Sequence, residues 1–233
     1  YMGLHETYQP QRKSEPFWLE EVVYKKVLTM YPNNPHAMNN LGYLYAEYGV
    51  HRQQAEQLCR KAVEQMPNSA SFRDSFGWSL FKNGNSATAE KELLKSISLN
   101  ADSYDPFYHL GTVYYVTKQY ERAIEMYERA ITIKPTAAES LNNYAYLLTE
   151  LDKDLEKAQQ MAARAAAMEP NNPSYIDSLA WVEFKKGNAQ EALRLLTRAV
   201  QLAHDVAEIL GHLGRVCLHL RQFDRAIEQL KLA

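Results

Sequence analysis

Cysteine is nearly absent from this chain: only Cys59 and Cys217 carry thiols, and they lie 158 residues apart. That spacing fits no zinc motif and suggests no disulfide framework. Strong charge of either sign is absent too. A formal net charge of −2 supplies no basic field for a nucleic-acid backbone and no polybasic patch for a membrane surface. No apolar run approaches the ~18–20 residues that span a bilayer, so direct membrane insertion is not expected. The chain opens on Tyr1 rather than Met, which reads as a processed or cut-out piece. A missing targeting segment therefore says nothing of compartment, and bacterial cytoplasm and periplasm stand equal.

The motifs of common chemistries are missing as well. There is no phosphate-cradling glycine loop, no His-Glu-x-x-His and no Gly-x-Ser-x-Gly. His212 and His219 stand seven apart on one helix face without a third ligand. Cys59 and Cys217 fall on core positions, where cysteine behaves as a small hydrophobe. The expectation is no enzyme, no cofactor and no metal.

What is present is a period. Small residues recur at Gly42, Gly77, Gly111, Ala145, Ala180 and Gly214, at intervals of 34 or 35. A bulky side chain precedes each: Leu41, Phe76, Leu110, Tyr144, Leu179 and Leu213. Alanine follows at 55, 89, 123, 158, 192 and 226, and another small residue seven further on, at Ala62, Ser96, Ala130, Ala165, Ala199 and Ala233. Between them stand Cys59, Leu93, Tyr127, Ala162, Leu196 and Leu230. Each unit reads as two amphipathic helices joined by a tight turn, with Gly or Ala where the two approach closely. Turn punctuation such as Lys82-Asn83-Gly84-Asn85 and Lys185-Lys186-Gly187-Asn188 separates the helices. Pro-Asn-Asn-Pro at 32–35 and 170–173 closes one helix and opens the next.

This pattern resembles the tetratricopeptide repeat, whose signature runs bulky–Leu–Gly–Tyr and then Ala–Phe–Ala–Pro. The resemblance covers residue 34 to the end and implies an all-α, right-handed superhelical solenoid. Its organisation is expected to be an arm or partial helix over 1–14 and a lone helix over 15–33. Full repeats then follow at 34–68, 69–102, 103–136, 137–171 and 172–205, with a truncated sixth at 206–233, all in one continuous domain. The phrasing Asn-Asn-Leu-Gly-Tyr, then Asp-Ser-Phe-Gly-Trp, looks more like bacterial repeat proteins than eukaryotic co-chaperones.

A longer period lies over the short one. Shifted by 103 residues, the chain matches itself without a gap at 32 of 98 positions. Asn39-Asn40 falls on Asn142-Asn143, Tyr43 on Tyr146, Asp74-Ser75 on Asp177-Ser178, Trp78 on Trp181 and His109 on His212. The repeat signature demands none of these. They lie on the first helix of each unit, along a stripe within about 60° of arc. In tetratricopeptide arrays that stripe lines the concave face, where members of the family hold peptides.

The stripe therefore supplies the candidate site. Its sixth-place ladder reads Asn40, Ser75, His109, Asn143, Ser178, His212, and its ninth-place row Tyr43, Trp78, Thr112, Tyr146, Trp181, Arg215. Asn amides can bond a peptide backbone whatever its sequence. Aromatic rings offer rigid apolar area with a polar edge. Asn39, Asn142, Asp74 and Asp177 stand one place before the ladder. The Asn and Trp positions suit structure equally, by fixing the pitch or packing between neighbouring first helices. Glu47 with Lys82 and Glu150 with Lys185 read as weak structural pairs. The family's carboxylate clamp is not expected: its places hold Asn39, Tyr43, Ser75, Asp105 and His109, then Asn142, Tyr146, Ser178, Glu208 and His212, with acids where cations belong. The expected function is a scaffold gripping an extended peptide or partner protein. The alternatives are self-assembly through open helical ends and an accessory region of a larger enzyme, such as a glycosyltransferase with a repeat-built arm.

Overall fold

A computed structural model describes residues 15–232, and the arm expected over 1–14 lies outside the described residues, as does Ala233. Among the described residues there are thirteen helices and no strand. α1 (Glu15–Met30) is followed by α2 (Pro35–Glu47), α3 (Arg52–Gln65), α4 (Ala70–Lys82), α5 (Ser86–Leu99), α6 (Asp105–Val116) and α7 (Tyr120–Ile133). Then come α8 (Ala138–Glu150), α9 (Leu155–Met168), α10 (Pro173–Lys185), α11 (Ala189–Leu202), α12 (Ala207–His219) and α13 (Phe223–Leu232). They form two compact units, an N-terminal one ending at Ile133 and a C-terminal one beginning at Lys134. The division falls beside the boundary between the two 103-residue copies.

The helix starts follow from their caps. Asn34 Oδ1 accepts from the Ala37 N–H at 2.9 Å, and Asn172 Oδ1 accepts from the Ser174 N–H at 3.1 Å. Pro35 and Pro173 occupy the first helical turn, where the missing N–H costs nothing. At the turns between paired helices Gly84 and Gly187 take φ of +85° and +90°. The equivalent turn places hold Lys118 at +60° and Arg221 at +59°, a left-handed conformation that costs an L-residue about 1–2 kcal/mol.

Pairing within each repeat is set by close approach. A Cβ added at Gly42 would meet Cys59 Sγ at 2.6 Å and the Ala55 carbonyl oxygen at 2.9 Å, so glycine lets α2 lie this close to α3. In the N-terminal unit Leu41, Leu44, Tyr45, Ala55 and Trp78 form one buried cluster, closed by Phe17 from α1. In the C-terminal unit Ile176, Leu195, Leu196, Ile209, Leu213 and Val216 form another. Each such aliphatic side chain contributes about 1.5–3 kcal/mol by leaving water. Within each unit the first helices lie side by side, α2 against α4 against α6 and α8 against α10 against α12. That wall carries the candidate stripe.

α1 docks through a contact the sequence does not announce. Glu21, 5% exposed, accepts a hydrogen bond from the Tyr45 hydroxyl at 2.8 Å and pairs with Lys25 at 2.6 Å.

Candidate functional site

The residues copied between the two halves build the same assembly twice, with its Asp, Trp and His members buried. In the N-terminal unit His109 on α6 places Nδ1 2.8 Å from Asp74 Oδ1 on α4. Its ring stacks on Trp78 with centroids 4.3 Å apart and planes 19° apart. The Trp78 indole N–H donates to Glu47 on α2 at 3.1 Å. In the C-terminal unit His212 Nδ1 lies 2.9 Å from Asp177 Oδ1, its ring stacks on Trp181 at 4.2 Å and 13°, and Trp181 donates to Glu150 at 2.7 Å. Three neighbouring first helices are thus tied by one indole and one Asp–His pair.

Burial and charge act on these histidines in opposite directions. Loss of hydration would push the His109 imidazolium down, but the charge and hydrogen bond of Asp74 prevail, so its pKa stands above the ordinary value. His212 is raised likewise, with burial opposing Asp177 and the nearby Glu208 adding to the rise. Above the pair, Tyr43 and Tyr146 reach toward the third helix. The Tyr146 hydroxyl donates to Glu208 at 2.9 Å, bridging α8 to α12. At the matching place in the other unit stands Asp105, one methylene shorter. Burial, and then the charges of Glu47, Asp74 and Asp105, push the Tyr43 hydroxyl well above its ordinary pKa.

The fifteen candidate residues divide by exposure. Asn39, Asp74, Ser75, Trp78, His109, Asn142, Tyr146, Asp177, Ser178, Trp181 and His212 are buried. Asn40 and Arg215 are exposed, and Tyr43 and Asn143 half-buried. Asn39 Nδ2 donates to Asn40 Oδ1 at 3.2 Å, and Asn142 Nδ2 to Asn143 Oδ1 at 3.4 Å. The Oδ1 atoms of Asn39 and Asn142 and the Ser178 hydroxyl are buried without a partner, whereas Ser75 Oγ donates to the Ser71 carbonyl at 3.0 Å. Arg215 places its guanidinium 5.6 Å from the Trp181 ring centre. Lys185, expected beside Glu150, lies 2.9 Å from Asp152.

Two features escaped the sequence reading. The Asp–His pair is separated by 35 residues in both copies, one repeat plus one, and that offset was the available signal. The convergence of Asp177, Glu208 and His212 was the other. Their ligand-type atoms lie within 4.8 Å of one another, and the Asp–His bond together with the Tyr146–Glu208 bond accounts for the cluster.

The tetratricopeptide-repeat family matches at residues 104–137 in one of its models and at 23–57 and 126–160 in another. A family described as anaphase-promoting complex, cyclosome, subunit 3 matches at 152–233. The chain is a tetratricopeptide-repeat protein. Among curated relatives of this repeat protein, a TPR repeat-containing protein of Pseudomonas aeruginosa is 30% identical over 84 residues, 36% of the chain and 14% of the relative. Another, from Dictyostelium discoideum, is 26% identical over 145 residues, 57% of the chain and 55% of the relative. The chain thus spans between about one seventh and one half of these relatives. Bacteria and eukaryotes both appear among them, so the likeness singles out neither. Among solved structures, the crystal structure of the APC/C hetero-tetramer Cut9-Hcn1 superposes with a TM-score of 0.79 at 17% identity, covering 92% of this chain and 42% of that one. The all-α repeat fold is therefore shared.

Proposed function

We propose that each unit of this tetratricopeptide-repeat chain holds an extended segment of a partner protein along its first helices, reading the segment's backbone through Asn40 in one unit and Asn143 in the other. The arrangement of the paired asparagines carries this reading. In each copy the buried Asn donates to the oxygen of its outer neighbour, so that bond engages the outer Oδ1 and not the outer Nδ2. Asn40 and Asn143 are thereby presented as donors already oriented for a peptide carbonyl, so little side-chain entropy is lost on binding. The neighbouring first helices are held together by the buried Asp–His pair and the stacked indole. Asn40→Ala combined with Asn143→Ala is expected to leave helicity and melting nearly unchanged. Affinity for a peptide selected on the wild-type protein is expected to fall about tenfold or more, measured by fluorescence polarisation. A double variant that instead loses cooperative unfolding would assign the asparagines to structure.

Self-assembly draws support from α13. Leu196 on α11 is fully buried, whereas its counterpart Leu230 is 43% exposed beside Phe223 at 57% and Ile227 at 52%. Sedimentation over a range of concentrations tests this second reading. A monomer throughout eliminates it.

A further inference from the structure

We infer that Asn83 is a modification site: it deamidates when the turn between α4 and α5 opens, and the carboxylate formed weakens the hold of that turn on α3. Asn83-Gly84 is the one Asn-Gly step in the chain. Glycine matters here because it has no side chain to shield its amide nitrogen or to restrict the turn. In the opened turn the Gly84 nitrogen gives up its proton and attacks Asn83 Cγ. The Cγ–Nδ2 bond breaks, ammonia leaves with the proton, and a cyclic imide remains. Water then opens that ring to aspartate, or to β-linked isoaspartate when it attacks the main-chain carbonyl. One amide and one water thus become one carboxylate and one ammonium ion, with no other reagent consumed.

The folded turn keeps both reacting groups occupied. Asn83 follows the last residue of α4 with φ −88° and ψ 1°. Its Nδ2, the leaving nitrogen, donates to Glu56 Oε2 at 2.8 Å and to the Arg52 carbonyl at 3.1 Å, both on α3. The attacking nitrogen is engaged as well, since the Gly84 N–H donates to the Phe81 carbonyl at 2.8 Å. Reaction therefore requires local opening. Hydrolysis also reverses the sign of the contact. A carboxylate in place of Nδ2 only accepts, and it meets an acceptor and the charge of Glu56, whose other oxygen already pairs with Arg60 at 2.6 Å. The duplicated half supplies a comparison. The matching turn reads Lys186-Gly187, and Lys186 Nζ reaches Glu156 at 2.6 Å and Gln159 at 2.5 Å on α9. Lysine spans from the turn to the preceding second helix with a side chain that cannot form the imide.

The test incubates the whole chain at alkaline pH, folded and in urea, and reads a gain of about 1 Da at each asparagine by fragment mass spectrometry. In urea, Asn83 is expected to convert ahead of Asn68 and Asn85, which precede serine. In the folded protein its conversion is expected to be about tenfold slower or more. Asn83→Asp, one product of the reaction, is expected to keep its helical circular dichroism and to melt about 2–4 °C below wild type. Asn83→Lys, copying the other half, is expected to melt near wild type and to gain no mass at that position. Equal rates folded and unfolded, earlier conversion at Asn68 or Asn85, or an Asn83→Asp variant that melts with wild type would each overturn the inference.

Discussion

Protonation of the two buried histidines can be read directly, because each lies flat against a tryptophan. An imidazolium in face contact withdraws electron density from an excited indole and quenches its emission, whereas neutral imidazole quenches less. The chain has three tryptophans, and Trp18 is 61% exposed on α1, so Trp18→Phe leaves a signal from Trp78 and Trp181 alone. Emission is expected to rise with pH about a midpoint above the unperturbed histidine value of about 6.5. The cause lies in the balance of opposing effects: burial is the largest single influence on both rings and acts downward, and the partner aspartate reverses it. Asp74→Asn and Asp177→Asn each remove that reversal, so the midpoint of the affected ring is expected to cross to below about 6.5. Glu47 and Asp105 near His109, and Glu208 near His212, remain to raise it, and Arg215 to lower it, but all act from further away.

Stability carries the same sign. A histidine raised on folding contributes stability that is fully present below its unfolded pKa and is lost as pH climbs through its folded pKa. Between those two values each pair binds one proton more in the folded state, so unfolding free energy falls by about 1.4 kcal/mol per pH unit per pair. With both asparagine substitutions in place the slope from these two rings reverses, and stability is lost instead as pH falls below about 6.5. Urea denaturation across pH 5 to 9 measures it. A wild-type midpoint at or below about 6.5, or a midpoint unmoved by Asp177→Asn, would refute the account of the pair.

Two helical glycines should respond to alanine with opposite signs. At Gly42 the new Cβ meets Cys59 Sγ at 2.6 Å, so Gly42→Ala is expected to cost about 1–3 kcal/mol despite better helix propensity. At Gly211 nothing lies within 4 Å, and Gly211→Ala is expected to stabilise by about 0.8–1 kcal/mol; paired thermal melts decide both. Burial pushes the Cys59 thiol up to about 12, so at pH 8 it should resist a thiol reagent until the protein is unfolded, and fast labelling of the native protein would contradict its placement.

The repeat was legible because close contact leaves few choices. Cys59 against Gly42 and Leu93 against Gly77 are steric requirements, and the same close approach recurs at Gly111 and Gly214. Helix ends were legible for the same reason: Asn34-Pro35 and Asn172-Pro173 are local devices. The burial of the stripe was not legible. Position on a helix tells which way Asp74 or Trp78 points, but not whether the neighbouring first helix comes close enough to cover it. Glu21 was invisible for a further reason, since its partner Tyr45 belongs to another element and no period links them. Lys185 went to Asp152 because the loop acid lay within reach, a choice among surface partners that composition does not fix.

Duplication explains which kind of residue each copy was free to change. Asp177 and His212 are buried together, so replacing either alone would strand a charge in the protein interior at a cost of about 3–5 kcal/mol. The indole between His212 and Glu150 is held on two sides, by a stacked ring and a hydrogen bond. Residues so constrained stay alike in both halves whatever the protein binds. Half-buried positions bear no such penalty, and there the copies differ: Tyr108 against Gly211, and Asp105 against Glu208. Identity between the halves therefore marks architecture, and difference marks the places where the two faces could acquire separate preferences. Asn40 and Asn143 are alike and yet not buried, as are Gln57 with Gln160 and Asn85 with Asn188. A side chain that reads only peptide backbone would stay the same in both copies, since every segment presents the same carbonyl.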